Sequence, residues 1–350
     1  MRSFLFKNPP FAQCHGSTLA KFSDGCFVAA WFAGTREQHP DTAIWGCYQD
    51  LKNRWTKPEV LAKVNDEPHW NPVLFLDDKG TMWLYFKTGG FPDRWDTWRC
   101  KFHGKWSVPK KLASIDLECG RMTPGPVRGK MVRLSSGTIL APSSIEKIVE
   151  KRFPHSLVRW ESVIHRSTNG NKWTSCVVPF PRDVGEYGGI IQPSIWESDK
   201  GCSALFRSTN GMLYRSNSTD DGKTWSPAFK TGIPNPNSAV DICKRGDLLA
   251  MVFNPASGNW VQRTPISVAF SDPSGGTWGS VLEVEGGQGS FSYPAMIETK
   301  EGFALTYTWN RTNIAFANVV VKTHSHGELY TIVEAETTEG PEAYDFNKGV

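Results

Sequence analysis

Two arginines and a tyrosine in the second half of the sequence are of types that bind and transform an acidic ligand. Arg207 and Arg263 carry a permanent charge, and the planar fork of a guanidinium binds a carboxylate through two hydrogen bonds. Tyr293 adds a phenol that can exchange a proton with a substrate. Together they predict a site for a carboxylated ligand, although either arginine alone would also suit a surface salt bridge or a stack on tryptophan.

Six polar residues that could line a functional site occupy the same position in a repeated sequence pattern. Each lies in a short apolar segment beside proline, serine or threonine, and successive members are 45 to 69 residues apart: His15, Asn71, Thr123, Gln192, Asn237 and Tyr293. A repeat of this length is typical of β-propellers, whose blades are four-stranded antiparallel sheets. We therefore predict that all six lie on innermost strands around one axis.

The segments after these positions read as further strands of each blade. Turns containing glycine lead into apolar second strands, predicted at Phe27–Phe32, Met82–Phe86, Ala204–Arg207 and Phe303–Trp309. The 350 residues include 15 Trp, 20 Phe, 32 Gly and 23 Pro, which suits short strands and tight turns. A short helix is predicted only around Ser144–Glu150. The expected fold is an all-β, six-bladed β-propeller that forms a single domain over residues 1–350.

One turn motif recurs between the predicted third and fourth strands. Ser218–Trp225 fits the pattern S-x-D-x-G-x-T-W, and weaker copies lie at Ser271–Trp278 and Ser167–Trp173, with traces at Asn53–Trp55 and His103–Trp106. The aspartate accepts backbone N–H groups across the turn, glycine supplies a positive φ, and tryptophan packs between blades. The motif resembles the Asp-box, or BNR repeat, of the sialidase superfamily, and the resemblance covers nearly the whole chain.

The resemblance to sialidases assigns roles to five residues. It implies that Tyr293 is the nucleophile and Asp41 the general acid/base of a glycoside hydrolase. It also implies that Arg207 and Arg263 hold the carboxylate of a terminal acidic sugar, with Arg36 as a further loop arginine. The expected partner is an acidic glycan or oligosaccharide, hydrolysed at its glycosidic bond.

Two positions depart from the sialidase pattern. His15 stands where sialidases have their first arginine, and Gln192 stands where they have a catalytic glutamate. A glutamine cannot take a proton from Tyr293, so a carboxylate such as Glu186 would have to replace it. His15 and Gln192 then become sugar contacts. The remaining expected contacts are Trp70, Asn71 and Arg121.

Other functions fit the same residues. A uronate-cleaving polysaccharide lyase would use His15 or His69 with Tyr293 as acid and base, and arginine to neutralise the carboxylate. His69 would equally suit a structural histidine hydrogen-bonded to backbone. A non-catalytic glycan-binding propeller is the third alternative, favoured by the missing glutamate.

Composition and charge restrict the classes of partner that the protein is expected to bind. The net charge of +4 is dispersed, with no basic cluster beyond pairs such as Lys110-Lys111, so no nucleic-acid partner is expected. No apolar run approaches the ~20 residues that cross a bilayer, so no membrane partner is expected. A mild positive field favours an anionic substrate. The sequence leaves the oligomeric state open.

The eight cysteines bear on cofactors and location. None forms a C-x-x-C pair, so no structural metal and no cofactor are predicted. The first residues lack the apolar stretch of a signal peptide, which predicts a cytoplasmic protein with reduced thiols. A leader removed before residue 1 would instead make the protein a secreted one.

Overall fold

The structure, a computed structural model, describes residues 3–50, 52, 54–117, 120–151, 156–180, 187–322 and 331–334. The strands in these ranges are arranged as six successive groups of four, each antiparallel. Five groups run in chain order from the inside outwards, and the sixth takes its outermost strand from the start of the chain. The predicted all-β propeller is confirmed. Cys119 and Glu186 lie outside the described residues.

Strand bounds follow the blades. The first blade consists of β2 (Gln13–Lys21), β3 (Phe27–Gly34), β4 (Ala43–Gln49) and β5 (Glu59–Ala62). The second consists of β6 (His69–Leu76), β7 (Met82–Thr88), β8 (Asp96–Lys101) and β9 (Lys110–Lys111). The third consists of β12 (Val132–Arg133), β13 (Ile139–Glu150), β14 (Leu157–Ser167) and β15 (Thr174–Val177). The fourth blade consists of β16 (Gly188–Ser198), β17 (Gly201–Ser208), β18 (Met212–Ser218) and β19 (Phe229–Pro234). The fifth consists of β20 (Asp241–Arg245), β21 (Leu248–Phe253), β22 (Ile266–Ser271) and β23 (Gly279–Glu285). The sixth consists of β24 (Phe291–Glu298), β25 (Gly302–Trp309) and β26 (Asn313–Lys322), completed by β1 (Ser3–Phe4).

Three further elements supplement the blades. The hairpin β10 (Ile115–Leu117) and β11 (Gly120–Met122) lies between the second and third blades, and β27 (Thr331–Glu334) pairs with β26. A 3₁₀ helix spans Pro92–Arg94. No helix among the described residues is long and apolar enough to cross a membrane.

The hydrophobic cores lie between blades. Buried side chains of the first two blades pack together around Phe32 and Phe86, and those of the last two around Phe270 and Phe303. Similar layers join every other neighbouring pair, including the last blade to the first, where Phe316 meets Trp55. Each sheet thus has both faces covered, and the ring is closed.

The backbone at the inner end of each blade turns through a left-handed conformation. Positive φ angles of 43° to 67° occur at Gly16, Asn71, Arg128, Gln192, Asn237 and Tyr293. In four inner strands the pairing register shifts at this residue, as in a β-bulge. The predicted inner positions Asn71, Gln192 and Tyr293 are these residues, and His15 is next to Gly16.

The predicted register was wrong in the third blade. Thr123 follows strand β11 of the separate hairpin, and the equivalent left-handed residue is Arg128, five residues later and four before β12. Proline and glycine residues on both sides of Thr123 imitate the repeated pattern, which explains the error. Asn237 has the expected left-handed backbone but precedes the innermost strand β20 by four residues.

The predicted helix around Ser144–Glu150 was also wrong. These residues extend β13, which pairs with β14 from Ile139↔Ser167 to Glu150↔Leu157. Serine, isoleucine and valine suit a pleated surface, and the long partner strand supplies a hydrogen-bonding neighbour that a local pattern does not reveal. The hairpin brings Glu146 opposite Trp160.

The Asp-box forms the expected turn between β18 and β19. The Asp220 carboxylate accepts hydrogen bonds from the Thr224 N–H (2.9 Å) and hydroxyl (2.6 Å), and the Ser218 hydroxyl accepts one from the Gly222 N–H (2.9 Å). Trp225 is buried against the core between the third and fourth blades. In the copy after Ser167, Asn169 takes the place of the aspartate and accepts from the Lys172 N–H at 3.0 Å.

Gly222 combines a positive φ with close packing, so its replacement by alanine tests how much the Asp-box turn contributes to stability. Its φ is +75°, and an added Cβ would lie 2.6 Å from the Leu140 side chain of the adjacent blade. We expect Gly222→Ala to lower the free energy of unfolding by about 2–4 kcal/mol, from backbone strain plus overpacking. Gly104→Ala is the matched control, because Gly104 has a φ of +69° and nothing within 4 Å. It should cost only about 1 kcal/mol in urea denaturation, and equal losses would contradict this account.

Candidate functional site

Tyr293 lies at the centre of the candidate active site. Its phenolic oxygen accepts a hydrogen bond from Arg207 Nη1 at 2.7 Å. The same nitrogen donates to Gln192 Oε1 at 3.1 Å, and Arg207 Nε donates to Asn237 Oδ1 at 2.7 Å. Arg207 is only 1% exposed, and its Nη2 has no hydrogen-bond partner among the described residues. The left-handed inner positions of three blades therefore converge on one guanidinium.

Three more arginines surround this group. The guanidinium carbons of Arg263 and Arg128 lie 5.4 Å and 5.2 Å from the centre of the Tyr293 ring. Arg263 donates to the Asn237 carbonyl, whereas Arg128 is fixed by the carbonyls of Ser17 and Pro294. Arg311 lines a cleft with His15 and donates to Glu37 at 2.5 Å. The site thus has an excess of positive charge.

These charges alter the acidity of the phenol. Burial raises the pKa of Tyr293, but the positive charges of Arg207 and Arg263 outweigh burial and lower it below its usual range. Burial, followed by the charges of Arg311 and Arg263, lowers the pKa of His15 well below its usual range. The His15 ring lies 4.2 Å from the Tyr293 ring, and its Nδ1 is 3.1 Å from the Thr308 hydroxyl. The site therefore combines a tyrosine phenol of lowered pKa with a neutral imidazole.

Two carboxylates near this cluster were not among the predicted site residues. Burial raises the pKa of Glu146 to about 7, against the opposing effects of Arg207 and a hydrogen bond with Trp160. Glu37 pairs with Arg311 and also raises the pKa of Tyr293. Glu146 was missed because it lies in the segment predicted as a helix. Burial does not alternate along this part of β13, so the pairing with β14, rather than a local pattern, shows that Glu146 lies on a strand.

Two predicted catalytic residues, Asp41 and His69, make no hydrogen bond, ion pair or ring contact with Tyr293 among the described residues. The Asp41 carboxylate closes its own loop by accepting from the Thr35 N–H (3.1 Å) and hydroxyl (2.6 Å), and it pairs with His39 at 2.7 Å. Partial burial raises the pKa of Asp41, but the hydrogen bonds from Thr35 lower it overall.

His69 has the structural role that sequence analysis left open. Its ring is fully buried; Nδ1 lies 2.8 Å from the Glu67 carbonyl and Nε2 accepts from the Val64 N–H at 3.0 Å. Both ring nitrogens are therefore engaged by backbone. Burial lowers the pKa of His69 to about 4, so the imidazole is neutral.

The predicted sugar contacts lie in three different places. Arg36 is exposed and lines the cleft that contains His15 and Arg311. Trp70 is buried between blades, where its indole N–H donates to the Gly89 carbonyl at 2.8 Å, and Asn71 has the left-handed inner position beside it. Arg121 lines a separate cleft next to the second blade. Only Arg36 among them shares a cleft with a residue that flanks Tyr293.

Two tryptophans cover the guanidinium of Arg207. The centres of the Trp160 and Trp260 rings lie 5.3 Å and 5.4 Å from its carbon, and Trp260 is also 5.6 Å from that of Arg263. Trp260 is 62% exposed and has a φ of +62°, in a loop rich in glycine and proline. An exposed aromatic ring over a cation provides a flat apolar surface at the mouth of the site.

The described residues contain no group of three or more His, Cys, Asp or Glu side chains that could hold a metal ion. No disulfide joins any of the cysteines in the described ranges.

The fold, the Asp-box turns and the central cluster define a sialidase-like propeller. The family model of the BNR repeat-like domain matches residues 25–305, so the chain belongs to that family. No curated protein matches the sequence significantly.

Solved structures share the fold at low sequence identity. A protein of unknown function from Dyadobacter fermentans is 17% identical over 90% of this chain and 96% of its own, with a TM-score of 0.72. Trypanosoma rangeli sialidase is 14% identical over 90% of this chain and 58% of its own, with a TM-score of 0.67. The NanB sialidase from Streptococcus pneumoniae is 12% identical over 90% and 70%, with a TM-score of 0.70. The chain therefore spans little more than half the length of the T. rangeli enzyme, and the likeness extends to the fold alone.

The lowered pKa of Tyr293 is directly measurable. In the ultraviolet difference between wild type and Tyr293→Phe, we expect one phenolate to form below the usual tyrosine range. Arg263→Met should raise that pKa by ~1 unit, because it removes a positive charge that favours the phenolate. Arg121→Met, in the separate cleft, should leave the titration unchanged. A Tyr293 phenol that ionises at an ordinary pH in both the wild type and Arg263→Met would contradict the electrostatic account.

Proposed function

We propose that this protein is a glycoside hydrolase that removes a terminal acidic, carboxylated sugar from glycans. The observation that carries the proposal is the hydrogen bond between Arg207 and the Tyr293 phenol, within a group of arginines that exceeds the nearby carboxylates. A ligand carboxylate would balance this charge. A structure of T. rangeli sialidase, which shares the fold, is in complex with sialic acid, a carboxylated sugar.

Each residue has a role in this scheme. Arg207, Arg263 and Arg311 bind the ligand carboxylate, with Arg311 taking the place of the arginine that is His15 in this chain. Tyr293 attacks the anomeric carbon, and its lowered pKa favours the nucleophilic phenolate. Glu146, with a pKa of about 7, donates a proton to the leaving oxygen and accepts one from water in the second step. Trp260 forms a surface on which the sugar stacks.

A uronate lyase is the second candidate, favoured by the neutral His15 ring beside the acidified phenol. In that reaction the Tyr293 phenolate removes the proton at C5, the C4–O bond breaks, and the leaving oxygen takes up a proton. Mass spectrometry separates the two, because hydrolysis adds one water to the products and elimination adds none. An unsaturated uronate product would identify the lyase.

Arg207 and Arg263, here called the arginine clamp, are the subject of the first functional prediction. Arg207→Ala and Arg263→Ala should each cost ~2–5 kcal/mol of transition-state binding, or roughly thirty- to several-thousand-fold in kcat/KM on sialosides or glucuronosides. Arg207→Lys should not restore activity, because lysine lacks the planar fork. Arg133→Ala, on the surface of the third blade, is the control. Unchanged turnover in both clamp variants would refute the acidic-sugar proposal.

The assignment of Glu146 makes a second prediction. Because the protonated carboxyl donates to the leaving oxygen, activity should fall as pH rises through about 7. Glu146→Gln should lower kcat ~10²–10⁴-fold and abolish this fall in activity at high pH. Asp41→Asn is the matched comparison and should retain most of kcat, because its carboxylate bonds within its own loop. If Asp41→Asn is instead the more severe variant, and if it rather than Glu146→Gln abolishes the fall in activity at high pH, the general acid is Asp41.

A further inference from the structure

A second buried cation lies beside the site and has no part in the scheme above. Lys87 is opposite Trp70 in the register of β6 and β7, immediately before the left-handed Asn71. Arg207 is opposite Ile191 in β16 and β17, immediately before the left-handed Gln192. Lys87 and Arg207 therefore occupy equivalent positions in the second and fourth blades.

Lys87 is buried without a carboxylate. It is 2% exposed, and its Nζ donates to the Thr97 hydroxyl at 2.5 Å and to the Thr123 carbonyl at 3.4 Å. None of the ion pairs among the described residues includes it; the nearest influential carboxylate, Asp96, pairs with Lys111 at 2.6 Å. Burying an unpaired ammonium is unfavourable, and accordingly burial lowers the pKa of Lys87 to about 7.

Lys130 shows how this fold otherwise accommodates a lysine near the axis. Its Nζ pairs with the Asp241 carboxylate at 2.8 Å and also donates to backbone carbonyls. Asp241 in turn accepts from the Met296 N–H and the Ser194 hydroxyl. Lys87 has no such counter-ion. His165, another titratable group near it, is buried, and burial lowers its pKa to about 3, so it adds no charge.

Lys87 lines a cleft that borders the Tyr293 site. The cleft wall includes Arg121, Trp95 and Ser144, and also Asp93, whose carboxylate lies 4.0 Å from Arg94 Nε. Ser144 provides the link, because its hydroxyl accepts from the Gln192 N–H at 2.8 Å, and Gln192 accepts from Arg207. The exposed Arg121 adds a second positive charge. Because Asp93 pairs with Arg94, Lys87 and Arg121 leave the cleft with a net positive charge, within reach of the groups next to a ligand held at Arg207.

We propose that the Lys87 cleft is an anion subsite that binds a second acidic substituent, a sulfate or a carboxylate, on the same oligosaccharide whose terminal acidic sugar binds at Arg207. The anion supplies the counter-ion that Lys87 lacks. The link to the oligosaccharide rests on the proposed function, whereas the anion subsite itself stands on the burial and contacts of Lys87. The protein would therefore favour polyanionic glycans over glycans with a single acidic group.

The first test measures anion binding without turnover. Sodium sulfate and sodium acetate are added at matched ionic strength to wild type, Lys87→Met and Arg207→Ala, and the melting temperatures are recorded. General salt effects are common to all three. We expect an additional rise with one or both anions in wild type and Arg207→Ala that Lys87→Met lacks, and the anion that produces it distinguishes sulfate from carboxylate. Equal rises in wild type and Lys87→Met with both anions would overturn the subsite.

The second test uses turnover of two substrates that carry the same terminal acidic sugar, with and without a sulfate or carboxylate on the next sugar. Wild type should prefer the doubly acidic substrate by about tenfold or more in kcat/KM, and Lys87→Met should lose the preference while it retains turnover of the singly acidic one. A preference that survives Lys87→Met would overturn the assignment. Absence of all turnover would count against the proposed function, while the anion titration still decides the subsite.

Stability provides the control for a structural role. Lys87→Met removes an unpaired charge and should leave the melting temperature unchanged or higher, whereas Lys130→Met strands Asp241 and should lower it. If Lys87→Met is as destabilised as Lys130→Met, Lys87 is a structural residue and the proposal fails.

Discussion

The left-handed backbone at the inner end of every blade is the constraint on which the site depends. A non-glycine residue in this conformation costs about 1–2 kcal/mol, and five of the six inner positions are not glycine: Asn71, Arg128, Gln192, Asn237 and Tyr293. Such strain persists where the surrounding structure over-determines it. Here the closed ring of inner strands does so, and the turn brings side chains from separate blades onto one guanidinium.

Charge is unevenly distributed around that guanidinium. Arg311 pairs with the Glu37 carboxylate, whereas Arg128, Arg207 and Arg263 contact only uncharged groups and aromatic rings among the described residues. Like charges this close raise each other's energy, and burial and the neighbouring Arg207 lower the pKa of Arg263 to about 10. Packing of the surrounding blades therefore has to hold these charges in place in the folded protein.

Local patterns in the sequence were sufficient for the propeller, its Asp-box turns and the central group of Arg207, Arg263 and Tyr293. They failed where pairing partners are distant. Glu146 acquires its surroundings from the long β13–β14 hairpin, and Arg311 reaches His15 because the turn after β25 lies against β2. The role of Asp41 depended on distance along the chain from His15, which does not reveal that Thr35 would engage its carboxylate. Spacing predicts which strand carries a residue, but not which neighbour its side chain finds.

The placement of the hydrophobic cores has a consequence for how the molecule can be divided. Six of the hydrophobic cores among the described residues are each shared by two adjacent blades, and these six form a closed circle from the first blade back to itself through the last. A fragment containing some of the blades would expose one apolar half-core at each of its two ends. Complementary fragments should therefore be poorly soluble apart and reassociate when mixed, each acting as the missing solvent-excluding wall of the other.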